Sequence, residues 1–195
     1  ICTGRKTKTI DIIQAEEKTY TGTIRLGVTT PSFDAETEVD RWGDVSRIEE
    51  LDAESIAEAA SKNLIGGLEQ MPPQFSAKKV DGVTAYKAAR KGKTVALQPK
   101  PVTVTSFDIN SFTQVKINGL NEKTHPVVDV EFEIVCSKGT YIRALARDLG
   151  EILKVGGTLT SLRRTKSGEF NVENAWNLPE LLESVKSCEP AIKNE

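Results

Sequence analysis

Apolar and polar residues alternate along residues 127–136, VVDVEFEIVC. Val128, Val130, Phe132, Ile134 and Cys136 fall on one side, and Asp129, Glu131 and Glu133 on the other. A period of two matches the two faces of a β-strand, so this stretch predicts a strand with one buried and one wet face. The three carboxylates could bind a divalent ion, but the wet face of an antiparallel sheet explains them without one. Residues 18–28, KTYTGTIRLGV, repeat the pattern, with Tyr20, Ile24, Leu26 and Val28 opposite Thr19, Thr21, Thr23 and Arg25. After the turn SKG the period lengthens: in TYIRALARDLGEILK, Ile142, Leu145, Leu149, Ile152 and Leu153 share one helical face. A second helix is predicted from an Asp52 cap to about Leu64, with Ile56, Ala59, Ala60 and Leu64 inward and Gly66-Gly67 ending it. Shorter elements are a basic helix around Thr84–Lys91 closed by Gly92, strands at 101–108 and near 159–165, and a last helix near Pro179–Val185. Strands and helices mix without a βαβ rhythm. The fold class is α+β, with a mixed, mostly antiparallel sheet flanked by helices.

A chain of 195 residues with 38% hydrophobic and 28% charged residues has the composition of one soluble globular domain. Its apolar runs are too short to span a membrane, and the basic opening ICTGRKTKTI is not a signal peptide. Starting on Ile1 rather than Met hints that the natural amino terminus is missing. Cys2, Cys136 and Cys188 are odd in number and far apart, which argues for a reducing, cytoplasmic compartment rather than a disulfide framework. His125, the only histidine, precedes Pro126 and reads as a loop residue, so no zinc set can be assembled and no metal is expected. The glycines match neither a P-loop nor a dinucleotide fingerprint, and there are no repeats.

A net charge of −2 says little until it is resolved along the chain. Residues 36–60 are strongly acidic, whereas 78–100 carry Lys78, Lys79, Lys87, Arg90, Lys91, Lys93 and Lys100 against Asp81 alone. Such segregation suits local binding of a polyanion, and equally a solvated lysine-rich loop; charge alone favours the loop.

No Ser-His-Asp or Cys-His set can be built around the one histidine. What remains is a set of tyrosines and arginines at the edges of regular elements. Tyr20 lies near a strand start, Tyr141 and Arg143 open a helix, and Leu162 precedes Arg163 and Arg164. A flat aromatic, an apolar side chain and an arginine suit a pocket for a flipped nucleobase. Composition and periodicity alone favour a plainer account, with Tyr20 and Leu162 in the core and Arg143 in a surface pair.

Four segments reverse that ordering: KTYTGTIRLGVTTPSFDAE (18–36), QMPPQFSAKKVDGVTAYKAARKG (70–92), CSKGTYIRALARDLGE (136–151) and LRRTKSGEF (162–170). In order and spacing they resemble the TruB family of tRNA pseudouridine synthases, and together they span nearly the whole chain. The resemblance implies the pseudouridine-synthase fold over 1–195, with 75–100 as a basic thumb that clamps RNA and no C-terminal RNA-binding domain apparent. It implies isomerisation of a T-arm uridine of tRNA by base flipping, without a cofactor and without a membrane. Tyr20 then matches the tyrosine that stacks on the target base and is implicated in proton removal, and Tyr141 a tyrosine of the base pocket. Arg143 matches the arginine that positions the catalytic aspartate, and Leu162 the residue that closes the pocket. Lys8 and Asp34 match further positions lining the site, and Lys78, Lys79, Lys87, Arg90, Lys91 and Lys93 fall on the RNA-binding thumb.

One departure stands out. The family's nucleophile lies in a G-x-L-D-P-x-x-T-G stretch that does not occur here, while ICTGRKTKT resembles the residues that come after that stretch in the family. The aspartate is therefore expected upstream of Ile1, in a preceding segment or a separate chain, and the 195 residues alone are expected to be inactive. Two rivals stay open at this point: an RNA-guided synthase of the ribonucleoprotein kind, and a non-catalytic tRNA-binding or RNA-folding protein.

Overall fold

In the computed structural model, residues 2–80, 82–119 and 124–187 are described. Ile1, Asp81 and Cys188 lie outside them. A 3-10 turn over Gly4–Thr9 leads into α1 (Ile10–Ala15) and then β1 (Lys18–Leu26). The short strands β2 (Val28–Thr29) and β3 (Arg41–Trp42) pair with each other and flank a long loop. Next come α2 (Val45–Glu49), α3 (Ala53–Asn63) and β4 (Gly66–Gln70). The basic segment contains a small hairpin, β5 (Lys79–Val80) with β6 (Val83–Thr84), and the one-turn helix α4 (Ala85–Ala89). The long strands β7 (Lys100–Asn118) and β8 (Thr124–Cys136) precede α5 (Ile142–Ile152). The chain continues through β9 (Gly157–Ser167), β10 (Phe170–Asn171) and α6 (Leu178–Ser187).

Six strands form one sheet in the order β10-β9-β1-β8-β7-β4. Every pairing of these strands among the described residues is antiparallel, and a parallel bridge joins Asp34 to Leu159, in keeping with the expected α+β class and its mostly antiparallel sheet. β1 is central, opposing β8 from Lys18 against Cys136 to Leu26 against Val128. Its alternation works as read: Ile24, Leu26, Val128, Val130, Phe132 and Ile134 are buried together with Ile142, Leu145 and Leu149 of α5. The opposite face is wet. Glu131 and Glu133 are exposed there, and Arg25 makes two 2.7 Å bonds to Asp129 directly across the ladder.

Asp52 caps α3 reciprocally with Ser55, as its position suggested, and Ile56, Ala60 and Leu64 are buried. Gly66 (φ +95) turns the chain straight into β4, so the two glycines start a strand as much as they stop a helix. β7 runs ten residues beyond the expected 108 because β8 supplies its ladder where its own sequence loses the period. His125 is not a loop residue: it opposes Ile117 within β8 and its ring stacks on Trp42 at 4.4 Å. Ile152, placed inward by periodicity, is 37% exposed because α5 ends there.

What seats α5 on the sheet is an approach of bare backbones. A Cβ added to Gly150 would lie 2.2 Å from both the Gly156 carbonyl carbon and the Gly157 nitrogen, and one added to Gly157 would lie 2.3 Å from the Ala146 carbonyl oxygen. The chain leaves the helix through left-handed Lys154 (φ +60), and the amides of Val155 and Gly156 both donate to the Gly150 carbonyl at 3.0 Å. Gly150→Ala should therefore lower stability by about 1–3 kcal/mol, the usual cost of overpacking. In urea unfolding this should appear as a lower midpoint at unchanged slope. Gly67→Ala, where an added Cβ meets nothing within 4 Å, should stay within about 0.5 kcal/mol of wild type. Equal midpoints for Gly150→Ala and wild type would show that the helix is seated by something else.

Candidate active site

The start of α5 is built by a turn and a borrowed side chain. Gly139 (φ +82) makes the turn after β8, and the Thr140 hydroxyl donates to the Ser137 carbonyl at 2.9 Å. Tyr141 occupies the cap position without a capping side chain of its own. Gln70, 3% exposed at the end of β4, takes over: its Oε1 accepts from the Tyr141 amide at 2.8 Å and its Nε2 donates to the Tyr141 carbonyl at 3.2 Å. This holds Tyr141 at the point where the basic segment departs. Gln70 went unread in the sequence, although it opens the QMPPQFSAK stretch.

Arg143 comes next, two residues into the helix and 22% exposed. Its Nη1 donates to Asp34 Oδ2 at 2.8 Å and to the Ser32 carbonyl at 3.2 Å, and its Nη2 to the Phe75 carbonyl at 2.7 Å. Charge-assisted bonds of this kind are the stronger ones. Asp34 is itself held in place. Its Oδ1 accepts from the Ser32 hydroxyl at 2.6 Å and from the Glu36 amide at 2.9 Å, and its carbonyl from the Thr30 hydroxyl at 2.7 Å. Phe33 beside it is left-handed (φ +59), and its carbonyl accepts from the Leu159 amide at 3.0 Å, fastening the loop to β9. So one guanidinium joins helix α5, the 30–37 loop and the base of the basic segment.

Tyr20 sits opposite Arg164 on β9 and opposite Ile134 on β8, and Gly22 sits opposite Leu162. Directly opposed residues of an antiparallel ladder share a face. Tyr20, Leu162 and Arg164 therefore share the face on which α5 packs. Tyr20 is half-buried against the core, so the core account of this residue is partly right. Burial raises its phenol, Cys136 nearby adds to the rise, and Arg164 opposes it. In neutral solution the group thus offers a ring and a hydroxyl, not a phenolate. Leu162 is 45% exposed and is no core residue. Gly22 has no room for a side chain: a Cβ there would lie 2.2 Å from the Ser161 carbonyl oxygen and 3.0 Å from the Phe132 ring.

The remaining candidates divide. Lys79, Lys87, Lys91 and Lys93 are exposed, as phosphate contacts must be, while Lys78 is partly covered and donates to the Gln98 carbonyl at 3.2 Å. Arg90 is exposed yet engaged, since its Nη2 meets Glu36 Oε1 at 2.9 Å and its guanidinium lies 4.8 Å over the Tyr86 ring. The Tyr86 hydroxyl donates to the same Glu36 oxygen at 2.7 Å. These two bonds, Tyr86's first, hold the Glu36 carboxyl below the usual carboxylate range. Lys8 is exposed in the opening 3-10 turn and makes none of the hydrogen bonds or ion pairs found among the described residues. A cavity of about 460 Å³ lined by Thr30, Phe33, Trp42, Arg147 and Lys154 lies apart from the set, for neither Tyr20, Tyr141, Arg143 nor Leu162 lines it.

Residues 1–142 match the family model described as TruB family pseudouridylate synthase (N terminal domain). The chain belongs to the TruB family. Residues 143–193 match a second model, tRNA pseudouridylate synthase B C-terminal domain. Among curated TruB proteins, tRNA pseudouridine synthase B of Flavobacterium johnsoniae is 39% identical, over 95% of this chain and 74% of its own length. The protein of that name from Bacteroides fragilis is 41% identical over 89% of this chain and 67% of its own. Solved structures resemble the fold at lower identity. A Cbf5-Nop10-Gar1 complex matches at a TM-score of 0.58 and 22% identity, covering 91% of this chain and 39% of that one. An H/ACA RNP bound to a substrate RNA containing 2'-deoxyuridine matches at 0.54 and 18%, covering 91% and 37%.

Gln70→Ala should cost about 1–3 kcal/mol, because it strips partners from the partly buried Tyr141 backbone groups. It should also speed hydrogen exchange of the Tyr141 amide. An unchanged exchange rate there would mean that the helix start holds itself.

Proposed function

We propose that this TruB chain isomerises a uridine in the T-arm stem-loop of tRNA to pseudouridine without a cofactor. The observation that carries the reading is the Arg143–Asp34 pair at 2.8 Å, set at the helix start beside the Tyr20 strand. Family membership and the tRNA pseudouridine synthase B relatives, near 40% identity, support it. They favour stand-alone action on tRNA over RNA-guided action, since the Cbf5 complex shares 22% identity and speaks for the fold alone.

On this reading the target uridine leaves the stack, at a cost of a few kcal/mol, and lies between Tyr20, Tyr141 and Leu162. The N1–C1′ bond breaks, the uracil turns, C5 bonds to C1′, the C5 proton leaves and N1 takes one up. Atoms and electrons balance within the uridine, so nothing is oxidised or reduced. Arg143 orients the attacking carboxylate, and Asp34 fixes the direction of Arg143. Tyr20 holds the ring and offers its hydroxyl for the proton step. Lys78, Lys79, Lys87, Lys91 and Lys93 meet phosphates of the stem-loop, and Lys8 is assigned to the site on the family resemblance alone. No G-x-L-D-P-x-x-T-G stretch occurs in residues 1–195, so the reading gives the nucleophile's role to none of the aspartates present. Residues 1–195 alone should then form no pseudouridine, and turnover should return once a segment or separate chain bearing that stretch is supplied. Robust modification by the 195 residues alone would overturn this part.

In the complete enzyme acting on T-arm RNA, Arg143→Lys should lower single-turnover rate by about 10²-fold and leave RNA affinity nearly intact. Lysine lacks the fork, and a misplacement of about 1 Å costs that much. A fall in affinity with an unchanged rate on bound RNA would make Arg143 a phosphate contact instead.

Tyr20→Phe should keep binding, since base stacking worth roughly 1–3 kcal/mol survives loss of the hydroxyl. The chemical step should fail, and Tyr20→Leu should damage both. Neutral replacements at Lys79, Lys87, Lys91 or Lys93 should do the reverse. Each should weaken binding to any stem-loop sequence and flatten the log–log salt dependence by up to about one unit. A silent Tyr20→Phe together with an untouched salt slope would return these residues to core and solvated surface.

A further inference from the structure

Glu36 stands between the basic segment and the arginine of the proposed site. Its Oε1 accepts from the Tyr86 hydroxyl at 2.7 Å and from Arg90 Nη2 at 2.9 Å, so both donors come from the single turn of α4 and its end. Its amide donates to Asp34 Oδ1 at 2.9 Å, while the other oxygen of Asp34 takes Arg143 at 2.8 Å. A second route closes the ring: the Phe75 ring meets Tyr86 edge-on at 6.1 Å, and the Phe75 carbonyl accepts from Arg143 at 2.7 Å. The segment is thus joined to Arg143 twice, once through its root and once through its helix.

The two joints differ in character. Phe75 is a fixed anchor, bonded through its backbone. Of the Glu36 joint's side chains, Glu36 and Arg90 are exposed and Tyr86 is partly covered, and exposed pairs contribute little net stability because water and salt screen them. It can break and reform at small cost while setting geometry when made, since two donors from one helical turn fix both the distance and the tilt of α4 over the loop. The basic segment itself carries the exposed lysines that would meet RNA.

We infer that Glu36 is a positioning residue that ties the seating of α4 to the Asp34–Arg143 pair, so that the arginine is set when α4 is docked. The inference rests on the function proposed above. It assigns Arg90 to Glu36, where the family resemblance had placed it among the RNA-binding residues of the thumb.

The test uses the complete enzyme, a T-arm stem-loop RNA, and three measurements: RNA affinity, single-turnover rate at saturating RNA, and thermal midpoint. Glu36→Ala should leave the midpoint where it is and change affinity by no more than about threefold, as befits an exposed pair. The rate on bound RNA should fall about tenfold or more, because the arginine is left misplaced. Glu36→Gln, which keeps one acceptor oxygen, should lie between. The Glu36→Ala/Arg90→Ala pair should be no slower than the worse single variant within about twofold, the non-additivity of residues that act as a unit. An active wild type whose Glu36→Ala variant turns over bound RNA at the full rate would overturn this inference alone. Tighter binding at an unchanged rate would do so too, marking Glu36 as a mere competitor for Arg90. A wild-type enzyme that forms no pseudouridine would instead overturn the proposed function.

Discussion

The backbone contact between Gly150 and Gly157 sets the depth at which α5 lies on the sheet. With no side chain on either residue, the helix approaches β9 until a Cβ on Gly157 would come within 3.2 Å of the Gly150 Cα. That depth is then filled by Ile142, Leu145 and Leu149 from the helix against Ile24, Leu26, Phe132 and Ile134 from the sheet. Burying such side chains is worth about 1.5–3 kcal/mol each, so the seat is deep as well as close. The consequence lies at the other end of α5. A rigid helix seated at its C-terminal half carries Tyr141 and Arg143 at its start to one height above the Tyr20 and Leu162 strands.

Around that start the polar groups are shared out with little slack. Arg143 is mostly covered, and a covered charge is tolerated only when it is paired and hydrogen-bonded. Asp34 supplies the charge, and the Ser32 and Phe75 carbonyls take two further donors. Asp34 needs its own support, which Ser32, Glu36 and Thr30 provide. Gln70 does the corresponding work for the Tyr141 backbone from the edge strand β4. These supporting residues decide where the guanidinium and the Tyr141 backbone are held, though none of them bears distinctive chemistry of its own.

Two strengths of interaction meet in this arrangement. Where Arg143 binds, exclusion of water makes each bond costly to lose. Where Glu36 meets Tyr86 and Arg90, solvent keeps the bonds cheap. On the proposed function, a site that receives a folded RNA has a use for both: a stiff centre held by the sheet, and a soft joint to α4. The 45% exposure of Leu162 fits an open face that can receive a base rather than a finished core.

The sequence by itself determined whatever depends on neighbours along the chain. The two-residue period of β1 and β8, the 3.6-residue period of α5 and the Asp52 cap are local, and each was legible because a face repeats within a few residues. Tyr20, Tyr141, Arg143 and Leu162 stood out at the edges of those elements, and the family resemblance turned residue types into a site. Only the tertiary structure decided what those residues touch. Arg143 finds Asp34 across 109 positions, Tyr141 finds Gln70 across 71, and Glu36 finds Tyr86 across 50. Periodicity carries no information over such distances. The length of β7 and the place of His125 were misread for the same reason, since a ladder with β8 and a ring stacked on Trp42 are supplied from elsewhere in the fold. Gly150 shows the limit most simply. In the sequence it is a glycine within a helix, and only the packed structure reveals the bare backbone that requires it.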